Sequence, residues 1–254
     1  PPPPTQRAAV ATTTPAPTPT TASAPAAPDW NTLLSGAAPG AVVQLDGLKL
    51  EDLPVVNLQQ KPEPGPQFLL SDAPEYFPAG GGIALQEDVK PGLVRLYVYH
   101  VPEPAGEHVI TAVLENTGEK PMNVRCVRHA FPKPSGNYHA IGKGGLVEFF
   151  NSQPQPQVRV VPPKSRIVID PAMDKAVVKK DQLVHGFYEL EIDQPGRISV
   201  LQRNVDQDST KAVDELPKLP LDKKNAGRGT FSVSDYDVST DVIETGKGPV
   251  QIVV

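Results

Sequence analysis

The chain has one cysteine, few aromatic residues and no long apolar run, and each shortage excludes a class of protein. A single cysteine, Cys126, among 254 residues excludes an intramolecular disulfide and any multi-cysteine zinc or iron–sulfur site. No stretch reaches the roughly 20 consecutive apolar residues that a transmembrane helix needs, so we expect no membrane span. With a net charge of −5, the chain has no excess of basic side chains to neutralise phosphates. We therefore do not expect nucleic acid as a partner.

Proline and glycine, by contrast, are abundant. The chain contains 31 prolines and 20 glycines, which interrupt helices and favour turns. Hydrophobic residues still make up 39% of the chain, which is enough for one sizeable core. We therefore expect a folded body without long helices, joined to segments that do not fold by themselves.

Residues 1–28 are predicted to form an extended tail. Of these residues, 24 are proline, alanine or threonine, and such a stretch buries too little apolar area to offset the entropy of ordering. Tracts rich in threonine and proline are frequent on exported surface proteins. The start at Pro1 without a methionine is interpreted as a processed, mature chain. We therefore predict an extracellular or cell-surface location.

Residues 29–66 are predicted to contain a helical turn, a hairpin and a linker. One helical turn is expected over Trp30–Leu34. Residues 43–50 alternate in polarity around the Asp46-Gly47 dipeptide, which favours a two-residue hairpin turn. The run Lys61–Pro66 is interpreted as a linker because three of its six residues are prolines, which have no backbone N–H to donate.

Residues 67–204 alternate apolar and polar side chains almost throughout, with turn residues between the runs. This period of two is typical of an antiparallel sandwich. The main predicted strands are Leu93–Val101, Val109–Leu114, Met122–Cys126, Val158–Val161, Arg166–Ile169, Val184–Ile192 and Arg197–Arg203. One helix is expected over Gly144–Ser152, where Leu146, Phe149 and Phe150 would cap an open end of the sandwich. The predicted fold class is all-β: an antiparallel β-sandwich with one short inserted helix and an extended Pro/Ala/Thr-rich N-terminal tail.

Two further segments follow the predicted sandwich. Residues 205–228 carry five acids and five bases, a composition typical of a solvated connection. Residues 229–254 are predicted to form C-terminal strands and end in the uncharged, strand-forming run Pro249–Val254. An unpaired strand of this kind is an aggregation hazard, so we expect it to pair with a sheet edge.

Side chains suited to catalysis are present, but the sequence does not bring them together. Cys126 and His129 are three residues apart on a predicted strand, so their side chains are expected on opposite faces. The glycines of Gly136–Gly144 do not have the spacing of a phosphate loop, and no hydroxyl residue follows the lysine between them. The five histidines are dispersed, and the common hydrolase motifs are absent. We therefore predict no catalytic residues, no cofactor and no enzymatic activity.

Two binding interpretations remain open beside their structural alternatives. Asp235, Asp237, Ser239 and Asp241 alternate as calcium ligands do, although the glycine and glutamate of an EF-hand loop are absent, so a structural Ca²⁺ competes with solvated acids at a strand edge. Aromatic side chains offer either a stacking platform for a sugar or ordinary cross-strand packing. These residues are Trp30, Tyr76, Phe77, Tyr97, Tyr99 and Tyr138.

Several blocks of the sequence, taken in order, also resemble a known group of proteins. The blocks are Phe68–Tyr76, Val94–His100, Pro134–Lys143, Leu183–Tyr188 and Arg228–Phe231. They are similar to secreted Firmicute-type surface proteins labelled as copper amine oxidase N-terminal domain proteins. The resemblance covers roughly residues 67–235 and implies export and an envelope role. It carries over no oxidase chemistry, because His139 and Pro134 stand where the quinone-forming motif has an acid and a threonine.

The expected function is that of a non-enzymatic extracellular structural subunit that associates with other copies of itself. In this hypothesis an extended terminus of one copy adds a strand to a sheet edge of the next, which builds a filament or surface layer. The candidate donor residues are Val10 in the tail and Val250, Ile252 and Val254 at the C-terminal end. Ordinary pairing of the last strand within its own chain is the simpler alternative. The competing function is a module that binds cell-wall glycan and is held on a Pro/Thr spacer.

Overall fold

The computed structural model describes residues 30–38, 43–45, 47, 49–221, 227–240 and 251–252. Contacts between Cα atoms divide the chain into two units, of which one comprises residues 1–55 and 247–251 and the other residues 56–246 and 252–254. In the first unit, helix α1 covers Trp30–Ser35 and a short 3₁₀ helix covers Leu50–Asp52. The second unit contains the two large sheets and the other helices.

The strands of the described residues are short to medium in length. In chain order they are β1 (Val55–Val56), β2 (Leu58–Glu63), β3 (Gln67–Ser71), β4 (Tyr76–Phe77), β5 (Gly82–Val89), β6 (Gly92–Pro102), β7 (His108–Asn116), β8 (Met122–Ala130), β9 (Val158–Val161), β10 (Arg166–Val168), β11 (Val184–Ile192), β12 (Gly196–Asn204), β13 (Arg228–Phe231), β14 (Asp235–Thr240) and β15 (Gln251–Ile252). The helices beyond α1 are α2 (Tyr138–Asn151), α3 (Pro171–Lys175) and α4 (Ser209–Glu215).

Two sheets form an all-β sandwich, as predicted. The smaller sheet has the order β10–β7–β12–β5, and the larger has β13–β3–β6–β11–β8–β9 with β4 also paired to β6. In these two sheets the pairing is antiparallel except that β3 and β4 run parallel to β6. The predicted strands over residues 158–161 and 184–192 have the observed bounds of β9 and β11.

The core lies between the two sheets and follows from the period of two. On β6, Leu96 and Val98 are fully buried, whereas Tyr97 between them is only partly buried and faces outward. On β12 of the other sheet, Ile198 and Val200 are equally buried and belong to the same cluster of apolar side chains. Removing this apolar area from water is the main stabilising contribution to the sandwich.

Helix α2 begins six residues earlier than expected and lies elsewhere. Asn137 caps its first turn, since the side-chain oxygen accepts a hydrogen bond from Ala140 N at 3.1 Å. The helix lies against β8 and β11 on the outer face of the larger sheet, so the prediction that it caps an open end of the sandwich is wrong. Its buried residues are Ile141, Gly145 and Phe149. Of the three apolar residues that were predicted to face the sandwich, only Phe149 is buried, while Leu146 and Phe150 are exposed.

Two predictions for residues 29–66 are also wrong. Residues 43–45 contain no strand and Leu50 begins the 3₁₀ helix, so the predicted hairpin is absent from this part of the described chain. The predicted linker at Lys61 is part of β2, which pairs with β14 in a two-stranded sheet. Pro62 is tolerated there because β14 is the single neighbour of β2 in the described sheets, which leaves β2 a free edge.

The predicted solvated connection contains a helix instead. Asp208 caps α4, since its carboxylate accepts hydrogen bonds from the backbone of Thr210 and Lys211. Ala212 and Val213 are buried against the smaller sheet. The described part of this segment therefore contains a short helix with a buried apolar side. None of the helices in the described ranges is long and apolar enough to cross a membrane.

Candidate binding site: a strip of tyrosines on the larger sheet

The outer face of the larger sheet carries a row of aromatic side chains. In the pairing of β6 with β11, Tyr97 lies opposite Phe187 and Tyr99 lies opposite His185. The parallel pairing of β3 with β6 places Leu70 beside Tyr97 on the same side. Because directly paired residues share a face, these side chains all leave the sheet away from the core.

The two tyrosine rings on β6 are held in a fixed arrangement. The rings of Tyr97 and Tyr99 are nearly parallel, at 6° with 6.3 Å between their centroids. The centroid of the His185 imidazole lies 4.9 Å from that of the Tyr97 ring and 6.1 Å from that of the Tyr99 ring. Phe187 meets Tyr97 edge to face at 5.4 Å. The side of both rings toward β11 is therefore occupied by packed aromatic groups, which limits their rotation.

Helix α2 forms one side of this aromatic row. Phe149 stacks on Phe187 with 3.9 Å between ring centroids, and Gly145 lies directly over the imidazole of His185. A Cβ atom at position 145 would lie 2.5 Å from Nε2 of His185, so the helix approaches this closely because the residue is glycine. At the start of the helix, the partly buried Tyr138 packs with Tyr99 on a small apolar cluster.

The loop between β3 and β4 forms the other side. His100, which is fully buried, holds this loop at both ends: Nδ1–H donates to the carbonyl of Pro74 at 2.8 Å, and Nε2 accepts from the hydroxyl of Ser71 at 2.7 Å. These roles follow because a carbonyl oxygen can only accept a hydrogen bond. Asp72 lies between Ser71 and Pro74, and Glu75 follows Pro74; both acids are partly exposed.

We call Tyr76, Tyr97, Tyr99 and Tyr138 the tyrosine strip. The rings come from β4, β6 and the start of α2, and Tyr76 is 39% exposed while the other three are partly buried. Burial and a hydrogen bond with Tyr76 raise the pKa of Tyr138. The strip therefore joins the loop to the helix above the middle of the sheet.

The electrostatic character of the strip is negative. Burial and the nearby charge of Glu75 raise the pKa of Asp72 to about 6. Burial and the charge of Asp72 raise the pKa of Tyr97 to about 12, and burial with both acids raises that of Tyr99. Asp72 Oδ1 is buried without a hydrogen-bond partner, and among the ion pairs of the described residues none involves Asp72. Exposed phenol rings beside such carboxylates are suited to binding a sugar or a cation.

The predicted aromatic platform is thus partly assembled. Tyr76, Tyr97, Tyr99 and Tyr138 come together, and the prediction that Tyr97 and Tyr99 share a strand face is confirmed. Phe77 does not contribute, because it is fully buried beneath the loop and its ring contacts His100 at 4.8 Å. The side chain of Trp30 lies outside the described residues.

A second polar group of side chains lines a cleft of about 160 Å³ beside β8, β9 and the start of α3. Cys126 and His129 both line it, so the prediction that they lie on opposite faces is wrong. The pairing of β8 with β11 shifts by one residue between Cys126 and Arg128, and this β-bulge reverses the alternation. Burial raises the pKa of the Cys126 thiol to about 11, which keeps it protonated and unreactive at neutral pH.

Among the residues weighed as calcium ligands, Asp235 already has a partner, since its carboxylate accepts a hydrogen bond from Arg95 at 2.5 Å. Asp241 lies outside the described residues. Within the described ranges, no group of three or more acidic, histidine or cysteine side chains is arranged to hold a metal ion.

The residues predicted to take part in assembly fall mostly outside the described part of the chain. Val10, Val250 and Val254 are outside the described residues. Ile252 belongs to β15, which pairs with β1 of the same chain in a two-stranded sheet. The backbone of the two residues of β15 therefore pairs within its own chain. This is the simpler of the two alternatives considered for the last strand.

No protein-family model, no curated protein and no solved structure matches this chain. The resemblance to secreted surface proteins therefore stays a prediction. The class that the structure defines is an all-β sandwich whose larger sheet carries an acidic aromatic surface.

Proposed function

We propose that the protein is a non-enzymatic, extracellular binding module that holds a cell-wall glycan on the tyrosine strip. The observation that carries this proposal is the convergence of four tyrosines from three elements on one outward face. Packing holds the rings of Tyr97 and Tyr99 in place, and all four tyrosines of the strip keep part of their surface exposed. Sugar rings stack on aromatic faces of this kind with little loss of side-chain freedom, because the rings are already ordered.

Two further properties of the chain agree with a binding role. The Pro/Ala/Thr-rich residues 1–28 have the composition of a spacer that would hold a module away from a surface. The thiol of Cys126 is the single cysteine of the chain, and its raised pKa makes a nucleophilic role at neutral pH unfavourable.

The test is a binding measurement with insoluble cell-wall preparations and with soluble wall oligosaccharides, by co-sedimentation and calorimetry. Tyr99→Ala is expected to weaken binding by about tenfold or more, since it removes the less buried ring of the pair. The matched control is Tyr236→Ala, at a tyrosine of β14 that is 52% exposed and lies outside the strip. Equal loss in both variants, or no glycan binding by the parent protein, contradicts the proposal.

A second candidate function is self-association, and one feature favours it specifically. Within the described residues strand β9 ends the larger sheet without a second neighbour, and its Val158 and Val160 are 48% and 60% exposed. Leu146, Val147 and Phe150 of α2 are exposed as well. Exposed apolar edges of this kind support strand addition by an uncharged segment such as residues 249–254 of another copy.

Donation of the C-terminal strand would require the pair of β15 with β1 to open, as in a domain swap. Val160→Lys is expected to abolish assembly, as is deletion of residues 1–28 or 249–254, while the folded sandwich is retained. Val177→Lys, at a valine that is 50% exposed outside the sheets, serves as the control. Analytical ultracentrifugation and negative-stain imaging give the result. Assembly of Val160→Lys to the parental extent contradicts strand addition at β9.

A further inference from the structure

We infer that the tyrosine strip selects a positively charged sugar, namely an amino sugar whose nitrogen is unacetylated. The inference rests on the proposed glycan-binding function and specifies its ligand. Its basis is the register of β3 on β6: Leu70 pairs with Tyr97 and Ser71 with Val98, so Asp72, the next residue, lies beside Tyr99 on the loop that His100 anchors.

The first step concerns the carboxylate of Asp72, which has an oxygen without a hydrogen-bond donor. Its Oδ1 atom is shielded from solvent and accepts no hydrogen bond within the described residues. A shielded acceptor without a partner is unfavourable, and a charged donor compensates it more strongly than a neutral hydroxyl does. A ligand cannot reach Oδ1 itself, but Asp72 is partly exposed, so an ammonium group placed against the exposed side of its carboxylate would gain more than a hydroxyl or an acetamide there.

The second step concerns the rings. A cation within about 6 Å of an aromatic face is attracted by the ring quadrupole. Tyr97 and Tyr99 are parallel and adjacent, and the charge of Asp72 acts on both. An amino sugar stacked on this pair would place its ammonium group near the ring faces and near a carboxylate at once, whereas a neutral sugar would use the stacking alone.

The third step concerns one arginine on each of the two strands that flank β3, both of which have other partners. Arg95, further along β6, donates to the carboxylates of Glu189 and Asp235. Arg228 on β13 donates to the backbone carbonyls of Ala73 and Leu219. Among the described residues no ion pair includes Asp72, so its charge is available to a cationic ligand.

The test compares two oligosaccharides that have the same sugar backbone and differ in whether their nitrogens are acetylated. Chitosan tetramer carries free amines, and chitin tetramer carries the same sugars with acetylated nitrogens. Calorimetric titration of the full chain at pH 6.5 is expected to show at least about tenfold tighter binding of the chitosan tetramer, and added salt should reduce the difference. Asp72→Asn should reduce the preference to less than about threefold and keep the binding of the chitin tetramer. Glu75→Gln provides a second variant, and circular dichroism confirms that both fold.

The outcomes separate the inference from the proposed function. Equal affinity of the parent protein for the two tetramers overturns charge selection and leaves glycan binding intact. An unchanged preference in Asp72→Asn and in Glu75→Gln overturns the assignment of the selecting charge to this loop. A linear alkyl diamine that binds as tightly as the chitosan tetramer overturns the amino sugar as ligand. Absence of binding by either tetramer and by wall glycans overturns the proposed function itself.

Discussion

Lowering the pH from 7.5 to 5.0 is expected to reduce the free energy of unfolding by about 2 kcal/mol through His100 alone. This histidine is fully buried between the loop that carries Asp72 and the aromatic ring of Phe77. Burial lowers its pKa from the ordinary value of 6.5 to about 4, although backbone hydrogen bonds with Pro74 and Glu75 act in the opposite direction.

The sign and size follow from proton binding in the two states. The pKa in the folded state lies below that in the unfolded state, so at pH 5.0 the unfolded chain holds a proton on His100 and the folded chain does not. Stability is therefore fully present above about pH 6.5 and is lost as the pH falls toward 4. Evaluated between the two pH values, the loss is about 2 kcal/mol.

Urea unfolding at both pH values, with linear extrapolation, measures this loss. Other groups titrate as well, so the decisive quantity is the difference between the parent protein and His100→Gln, which does not titrate. We expect the loss in the variant to be smaller by about 2 kcal/mol. His139→Gln, at an exposed position of α2, is the matched control and should show the parental loss. Equal pH dependence in His100→Gln and the parent would refute the reasoning.

Two further predictions concern the packing of α2 and the single thiol. Gly145→Ala should lower the free energy of unfolding by about 1–3 kcal/mol, because the added methyl group would overlap the ring of His185. A methyl group added at Gly144 would have no atom within 4 Å, so Gly144→Ala should raise the free energy of unfolding by about 0.5–1 kcal/mol. Equal effects of the two substitutions in thermal melts would contradict the close packing at Gly145. Cys126 should react with a thiol reagent at neutral pH far more slowly in the folded protein than in urea, and similar rates would contradict its burial.

Strand positions were predictable from the sequence, and helix faces were less so. The alternation around Tyr97 and Tyr99 predicted β6 because one side of that strand is buried at every second residue. In α2 the buried stripe contains Gly145, which adds nothing to an apolar pattern yet permits the close approach to β11. The apolar spacing of Leu146, Phe149 and Phe150 therefore indicated the wrong side of the helix.

The candidate site was predictable only in part, because it depends on which strands pair. Tyr97 and Tyr99 are neighbours by spacing on one strand, so sequence reasoning found them. Asp72 joins them through the parallel pairing of β3 with β6, and no local pattern specifies that pairing. Similarly, one extra residue in β8 brings Cys126 and His129 to one cleft. A rule based on alternation fails beyond a bulge, since every later side chain changes face.

The position of β6 has a consequence for how this surface could change over evolutionary time. The strand is bonded on both sides within the larger sheet, so its two tyrosines stand on the least deformable part of that sheet. The acids instead occupy the β3–β4 loop, Tyr76 lies on the two-residue strand β4, and Tyr138 lies in the first turn of α2. Mutations at those outer positions could therefore change the preferred ligand, while β6 and its two tyrosines stay the same.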